Sequence, residues 1–274
     1  MAAKRKLPFL APVLAICLPL GVVSAVAFAV TAKGATAEAS VRRPQHTPPA
    51  AATAVDQVVA ASLPAEVAEV APDRHAIVAP RVPGSGLAIY PEIGAAAPSQ
   101  TLPAVDELGS PLVLLSVASE GDWFHVLLPT RPNGSMGWVR AADVTATAPA
   151  NRVEVSLAAH ELRVVRITDG AVLLTSTIGA GRPTTPTPRG EFFVRDHFPT
   201  GSMSHPYGPF AFGLSGHSDV FTRFGTGDGR IAIHGTNQPS TIGADASNGC
   251  VHVANDVVLQ LVDLLPLGTP VIIS

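Results

Sequence analysis

Short apolar runs separated by turn residues recur along the chain beyond residue 86. In the first stretch the runs fall at residues 87–90, 112–117, 123–128 and 137–139, and Pro132-Asn133-Gly134-Ser135 has the composition of a hairpin turn. In the second stretch, strand patterns fall at residues 153–157, 162–167, 172–177, 191–194, 230–233 and 271–273. The pattern predicts a mostly β protein in two parts, a small β-barrel followed by a larger β domain.

One helical pattern interrupts these strands. Asn255 or Asp256 is placed to cap a helix whose apolar residues are spaced three or four apart, namely Val257, Val258, Leu261, Leu264 and Leu265. Gly268-Thr269-Pro270 is expected to end it. The sequence therefore predicts one clear helix after residue 250.

The N-terminal part has a different character. Lys4-Arg5-Lys6 is followed by an apolar segment at residues 7–32, long enough to span a bilayer and typical of a secretory signal. A cleaved signal within residues 1–32 and a retained membrane anchor both remain open, and either places the rest of the chain outside the cytoplasm, in the cell envelope or secreted. Residues 33–83 are rich in Ala, Pro, Val and Thr and predict a disordered linker, with a short Ala-rich helix around residues 55–70 as the alternative.

Composition excludes several classes of function. The net charge is −3 and the pI near 6.3, and no basic, aromatic-interleaved stretch indicates nucleic-acid binding. The nine histidines show no metal-ligand spacing, so we expect neither a metal nor another cofactor.

Cys250 is the main chemical signal. The other of the two cysteines, Cys17, lies in the N-terminal apolar segment, so an exported Cys250 has no intramolecular disulfide partner. His234 closes an apolar run, and Ser247-Asn248-Gly249 leads into the cysteine. These residues predict a thiol activated by an imidazole. Gly249 permits a positive φ or a close substrate approach, and the N–H groups of Gly249 and Cys250 are expected to face a developing oxyanion.

These residues resemble a known signature. The sequence HGT at 234–236 followed by SNGCVH at 247–252 resembles the motif of the L,D-transpeptidases with a YkuD-type catalytic domain. TPTPRGEF at 185–192 and GTPVII at 268–273 agree with it. The resemblance runs from about residue 151 to residue 274 and implies a β-sandwich catalytic domain there.

The resemblance also implies a chemistry. Cys250 would attack the diamino-acid carbonyl of a peptidoglycan stem tetrapeptide and release the terminal D-Ala. His234 would act as base and then acid, with its second ring nitrogen held by the Gly235 carbonyl. The thioester would pass to an amine, forming a 3→3 cross-link or attaching a protein. Water as acceptor would make a carboxypeptidase, and carbapenem-type β-lactams would acylate the same thiol.

Further site residues follow with their expected roles. Ser247 and Gly235 join Gly249 as loop and oxyanion residues, and the expected substrate contacts are Asn248, His252, Tyr207 and His217. The family usually has Arg or Asn where this chain has His252. A neutral histidine does not supply the permanent charge of arginine, so substrate contacts at this point are expected to differ.

Residues 84–147 carry a second resemblance. GDWFHVLL at 121–128 and GSMGWVRAADV at 134–144 resemble bacterial SH3-like domains, which implies binding of wall peptide or glycan. A barrel that only packs or spaces remains open, and Trp123 and Trp138 are expected in its core.

Three functions remain in view. The leading one is an exported peptidoglycan L,D-transpeptidase. The alternatives are a cysteine wall-peptide hydrolase or carboxypeptidase and a non-catalytic wall-binding protein.

Overall fold

A computed structural model describes residues 75–223 and 227–274. Within them the strands are β1 (Ala76–Pro80), β2 (Leu87–Ile89), β3 (Gln100–Leu102), β4 (Leu114–Glu120), β5 (Trp123–Leu127), β6 (Met136–Arg140), β7 (Val144–Thr147), β8 (Asn151–Ser156), β9 (Glu161–Arg166), β10 (Val172–Thr177), β11 (Ala180–Gly181), β12 (Gly190–Pro199), β13 (Phe210–His217), β14 (Arg230–His234), β15 (Asp245–Ser247), β16 (Val251–His252) and β17 (Pro270–Ile273). The α-helix is α1 (Asn255–Leu261), and 3₁₀ turns occur at Ala141–Asp143 and Pro239–Thr241. The prediction of a mostly β chain with a helix after residue 250 is confirmed.

The first sheet has five antiparallel strands in the order β6-β5-β4-β1-β7. β1 lies between β4 and β7, and its Ala76 and Val78 are fully buried. This strand falls inside residues 33–83, so the predicted linker is wrong at residues 76–80. β7 is the edge strand of this sheet and pairs with β1. Both strands are short and rich in Ala, Thr and Val, and their buried faces are set by pairing partners distant in sequence.

The second sheet has eight strands in the order β10-β9-β8-β17-β12-β13-β14-β16. Two neighbouring pairs, β8–β17 and β14–β16, are parallel, and the remaining pairs are antiparallel. β12 is buried on both faces, because Phe192 and Val194 belong to the core of this sheet while Phe193 packs into the core of the first sheet. The continuous apolar run of β12 reflects this double burial.

The helix packs one face against the second sheet. Val258 and Leu261 are buried in its core. The helix is shorter than predicted, since Leu264 and Leu265 follow its last residue. Its N-cap is Ala254 without a side-chain cap, so the predicted capping by Asn255 or Asp256 is wrong.

Two sets of polar contacts connect the sheets, which belong to one compact unit. Asn133, in the turn between β5 and β6, donates from Nδ2 to the His217 carbonyl (2.7 Å) and accepts the His217 N–H at Oδ1 (2.8 Å). The Glu107 carboxylate accepts hydrogen bonds from the guanidinium groups of Arg195 (2.8 Å) and Arg230 (2.9 Å). The turn of the first sheet therefore contacts the end of β13.

Some sequence predictions are not tested by this fold. The signal or anchor at residues 1–32 lies outside the described residues, as does the linker up to residue 74. No helix of the described residues is long and apolar enough to span a bilayer. The SH3-like resemblance stays a prediction. Trp123 and Trp138 are half-buried outside the core cluster, where Trp123 contacts Tyr90 edge-on and Trp138 stacks on His125.

Candidate active site

The parallel pairing of β14 and β16 brings the two predicted reactive residues to one face. Ile233 lies opposite Val251, and His234 lies opposite His252. Because side chains alternate along a strand, the buried Ile233 and Val251 face the core, whereas His234 and His252 face the other side. Cys250 directly precedes β16 and shares the face of His252. Thiol and imidazole are therefore diagonal neighbours across this strand pair.

This face forms the floor of a cleft of about 680 Å³. The cleft is lined by Cys250, His234 and His252 and by the predicted contacts Tyr207, Asn248 and Ser247. His205, Thr241, Arg182 and Arg230 also line it, and the sequence analysis assigned none of them to the site.

The imidazole of His234 is held in one tautomer. Its Nδ1–H donates to the Gly235 carbonyl at 2.5 Å, which leaves Nε2 as the basic nitrogen. A side chain at Gly235 would overlap Asn255 Oδ1 and approach Gly208, so only glycine fits there. The pKa of His234 is lowered to about 3, mainly by burial and in addition by the neighbouring His252.

The thiol of Cys250 is also neutral. The residue has intermediate exposure toward the cleft, but protein surrounds its sulfur, and this burial raises the pKa of Cys250 to about 11. A backbone hydrogen bond with Ala232 opposes the shift. Within residues 75–223 and 227–274, no hydrogen bond joins the Cys250 sulfur to His234. The resting pair is thus a neutral thiol beside a neutral imidazole. Hydrogen bonds between catalytic groups often tighten only when substrate binds.

The loop before Cys250 is fixed by the Ser247 hydroxyl. Ser247 Oγ accepts the Gly249 N–H at 3.0 Å and donates to the Cys250 carbonyl at 2.6 Å. Gly249 has φ +119°, a value that residues with a Cβ rarely adopt. Since its N–H is already bonded, Gly249 is not a free oxyanion donor, which corrects the expectation from the sequence. The Cys250 N–H donates no hydrogen bond within the described part of the chain and stays available.

A second segment, which contains Arg182 and Thr185, binds the backbone of this loop. The Thr185 hydroxyl donates to the Ser247 carbonyl at 3.2 Å, and the Arg182 backbone N–H donates to the same oxygen at 3.1 Å. The Arg182 guanidinium reaches the Ala246 carbonyl at 3.1 Å. Thr185 belongs to the TPTPRGEF segment, so that motif contributes to the site by holding the cysteine loop.

Tyr207 forms one wall of the cleft. Its ring lies 4.7 Å from that of His234, and burial followed by the nearby Cys250 raises the pKa of its phenol. The Tyr207 N–H donates to Nδ1 of His205 at 3.1 Å, which fixes the loop that carries both. Asn248 is exposed and also lines the cleft.

Asn255, expected as a helix cap, has another role. Its Oδ1 accepts the Thr236 N–H at 2.7 Å, and its Nδ2 donates to the Met203 carbonyl at 3.2 Å. It thereby connects the segment after His234 to the loop that carries Tyr207. No periodicity of the sequence could have indicated this role.

His217 does not reach the cleft, contrary to prediction. Its ring is buried and its Nε2 lies 3.1 Å from Asp228 Oδ2. Its backbone bonds Asn133, as described above. His217 is not among the residues that line the cleft with Cys250, and its ring is directed to Asp228.

Comparison with known proteins agrees with this geometry. A family model described as the L,D-transpeptidase catalytic domain, YkuD, matches residues 150–273. YkuD of Bacillus licheniformis, named as a candidate L,D-transpeptidase, is 36% identical over 124 residues, which cover 45% of this chain and 65% of that relative, just under two thirds. YqjB of Bacillus subtilis, named likewise, is 35% identical over 133 residues, covering 44% of this chain and 70% of the relative.

Solved structures give more distant matches. One is an L,D-transpeptidase from Mycobacterium smegmatis, with 20% identity, a TM-score of 0.36, and coverage of 73% of this chain and 82% of that one. From the family model and the YqjB match, the chain belongs to the YkuD family of L,D-transpeptidase catalytic domains.

Proposed function

We propose that the protein is a peptidoglycan L,D-transpeptidase with Cys250 as nucleophile. The observation that carries the proposal is the placement of Cys250 and His234 on one face of the β14–β16 pair, with His234 Nδ1 bonded to the Gly235 carbonyl. Family membership supports it, since the model that matches residues 150–273 describes this catalytic domain. The substrate would be a stem tetrapeptide and the leaving group its terminal D-Ala.

The chemical steps follow from the tautomer of His234. Its Nε2 takes the thiol proton as the sulfur attacks the diamino-acid carbonyl, and the Cys250 N–H is the oxyanion donor. Collapse of the intermediate breaks the C–N bond, and the imidazolium returns its proton to the departing amine of D-Ala. The resulting thioester is then transferred to an amine. Because the resting pair is neutral, the proton moves from the thiol to the imidazole as the sulfur attacks, and not before.

The test incubates the full-length protein, and separately its Cys250→Ala variant, with disaccharide-tetrapeptide. The products are followed by mass spectrometry. We expect cysteine-dependent loss of the terminal residue together with 3→3 dimers. Loss of that residue without dimers would mean a carboxypeptidase. An unchanged tetrapeptide would contradict the proposal and favour a wall-binding protein.

Carbapenem-type β-lactams are the proposed inhibitors, because an acylating ring that enters the cleft meets the same thiol. Intact-mass analysis with a carbapenem is expected to show a covalent adduct on the parent protein. A Cys250→Ala protein that formed the adduct equally would contradict this assignment.

We also propose export, with residues 7–32 as cleaved signal or retained anchor. The apolar composition of this segment after Lys4-Arg5-Lys6 supports the proposal. Fractionation of cells and N-terminal sequencing of the mature protein distinguish a shortened secreted form from an intact membrane-bound one. An intact form in the cytoplasmic fraction would contradict export.

A further inference from the structure

The hydrogen bonds around His252 define its tautomer. His252 Nδ1 lies 3.0 Å from the Thr241 hydroxyl, and the same hydroxyl lies 2.7 Å from the Gln238 carbonyl. A carbonyl only accepts, so the single hydroxyl hydrogen of Thr241 goes to Gln238. The proton between His252 and Thr241 must therefore sit on Nδ1, and a neutral ring carries its lone pair on Nε2.

This ring is held rigidly at the cleft. The His252 N–H donates to the Gly179 carbonyl at 2.8 Å, and the Gly179 N–H donates back to His252 at 2.9 Å. The imidazole packs 4.6 Å from that of His234, and burial lowers the pKa of His252. Its Nε2 makes no hydrogen bond within the described residues and is not enclosed, so it is open to a ligand.

His234 and His252 thus present the same arrangement side by side. Each gives its Nδ1–H to the protein and keeps the lone pair on Nε2, and both residues line the cleft that contains Cys250. Transfer to an amine needs two proton acceptors. A primary amine is an ammonium at neutral pH and must lose one proton before it attacks, and the C–N bond that forms then releases a second.

We propose, resting on the acyl transfer proposed above, that His252 Nε2 binds the ammonium of the acyl acceptor and takes its first proton. The amine lone pair then forms the C–N bond to the thioester carbonyl, the C–S bond breaks, and its electron pair returns to Cys250. The second amine proton passes to His234 Nε2 and from there to the Cys250 sulfur, which restores the neutral thiol, and the proton on His252 is released to water. The acceptor class in this proposal is a primary ammonium, and hydrolysis by water is the competing outcome that the test measures.

The two arginines that line the cleft are held by other groups of the protein. Arg230 also lines the cleft, but its guanidinium is paired with Asp196 and Glu107. Arg182 is directed to backbone carbonyls of the cysteine loop. Neither arginine contacts His252.

The test separates the two half-reactions, with disaccharide-tetrapeptide as both donor and acceptor. Quenched-flow intact-mass measurement gives the rate of acyl-enzyme formation, and product analysis gives the ratio of dimer to hydrolysed thioester. His252→Gln keeps a hydrogen-bond acceptor but has no basic nitrogen. We expect the ratio of dimer to hydrolysed thioester to fall about tenfold, because a hydrogen bond replaces the lost proton transfer only in part. His252→Arg presents only donors and is expected to lower the ratio by about a hundredfold. In both variants transfer falls more than acylation.

Thr241 tests the tautomer directly. Thr241→Val removes the acceptor of the Nδ1 proton and is expected to lower the dimer ratio, whereas Thr241→Ser keeps the hydroxyl and restores it. Thr175→Val, on exposed β10, is the matched control for the same substitution.

The outcomes are distinguishable. An unchanged ratio in His252→Arg, or equal slowing of acylation and transfer, would overturn the role of His252 while leaving the transpeptidase intact. If the parent protein forms no acyl-enzyme, the proposed function itself fails.

Discussion

Burial decides the protonation of the two reactive side chains. Cys250 and His234 both lie where a charged form would lose water, so the pKa of the thiol is raised and that of the imidazole is lowered. The residues are poised to exchange a proton with each other, and not to hold separate charges at rest. This has two measurable consequences.

The first is the reactivity of the free thiol. Only the thiolate is alkylated, so with a pKa of about 11 the rate of iodoacetamide reaction at Cys250 is expected to rise about tenfold per pH unit from pH 7 to 10. Peptide mapping distinguishes Cys250 from Cys17. Urea-unfolded protein is the control, with a plateau beginning near pH ~8.5. A plateau below pH 9 in the folded protein would contradict the raised pKa.

The second is acid stability. The folded pKa of His234, about 3, lies below the ordinary value of 6.5, so the unfolded chain binds the extra proton first. The contribution of neutral His234 is complete above pH 6.5 and is lost as the pH falls toward 3, by up to about 1.4 kcal/mol per pH unit. Urea unfolding at pH 6 and pH 4 should show a smaller loss for His234→Gln than for the parent protein. Equal losses would mean that His234 is protonated in the folded state.

At the scale of elements, the site is built from a short loop placed by longer strands. Ser247, at the end of β15, satisfies both the Gly249 N–H and the Cys250 carbonyl, and its own carbonyl is held by Thr185 and Arg182. The loop thus receives its geometry from a hydroxyl and from a neighbouring segment. The two-stranded β11–β15 pair brings that segment alongside.

Substitution of Ser247 tests this dependence. Ser247→Ala leaves the Gly249 N–H and the Cys250 carbonyl without their partner, at about 1–3 kcal/mol of unfolding free energy, and is expected to slow acylation more than tenfold. Ser247→Thr keeps the hydroxyl and is the conservative control. If alanine and threonine variants acylate alike, the hydroxyl does not set the loop geometry.

The sequence predicted elements where pattern and turn chemistry coincide, as in β5, β6, β8 and β9. It missed β13, the neighbour of β14, because this strand is interrupted by glycines and serine. Those small residues have a tertiary reason, since a Cβ on Gly216 would overlap the Phe192 ring. Cys250 and His234 were predicted from a motif and His252 as a departure from it, whereas Thr241 and Asn255 make contacts that no local pattern encodes.

At the scale of the whole molecule, the first sheet stabilises one wall of the cleft through hydrogen bonds. Arg131, in the turn between β5 and β6, donates to the carbonyls of Ser218 (2.8 Å), Phe221 (2.8 Å) and Asp228 (3.1 Å). Ser218 and Phe221 line the cleft. The turn of the first sheet therefore helps to hold one wall of the cleft.

Loss of this contact is expected to affect substrate binding. Arg131→Ala removes three hydrogen bonds to carbonyls, and we expect faster amide exchange at residues 217–221 and a KM several-fold higher with a smaller change in kcat. Arg189→Ala, an exposed arginine of the second part, is the matched control. Unaltered exchange at residues 217–221 would mean that the wall is held without the first sheet.

Strand pairing places some residues of the site and the connecting segment places others, which matters for redesign of the site. His234 and Cys250 are placed by the parallel register of β14 and β16, whereas Thr241, which orients His252, sits on the connection between them. Exchanging only the part of that connection around Thr241, before β15, would leave Ser247 and the cysteine loop unchanged while changing the group that sets the second imidazole. If His252 acts as proposed, proteins that share one reactive cysteine can differ in this part of the connection. We expect such differences to change the ratio of cross-linking to hydrolysis.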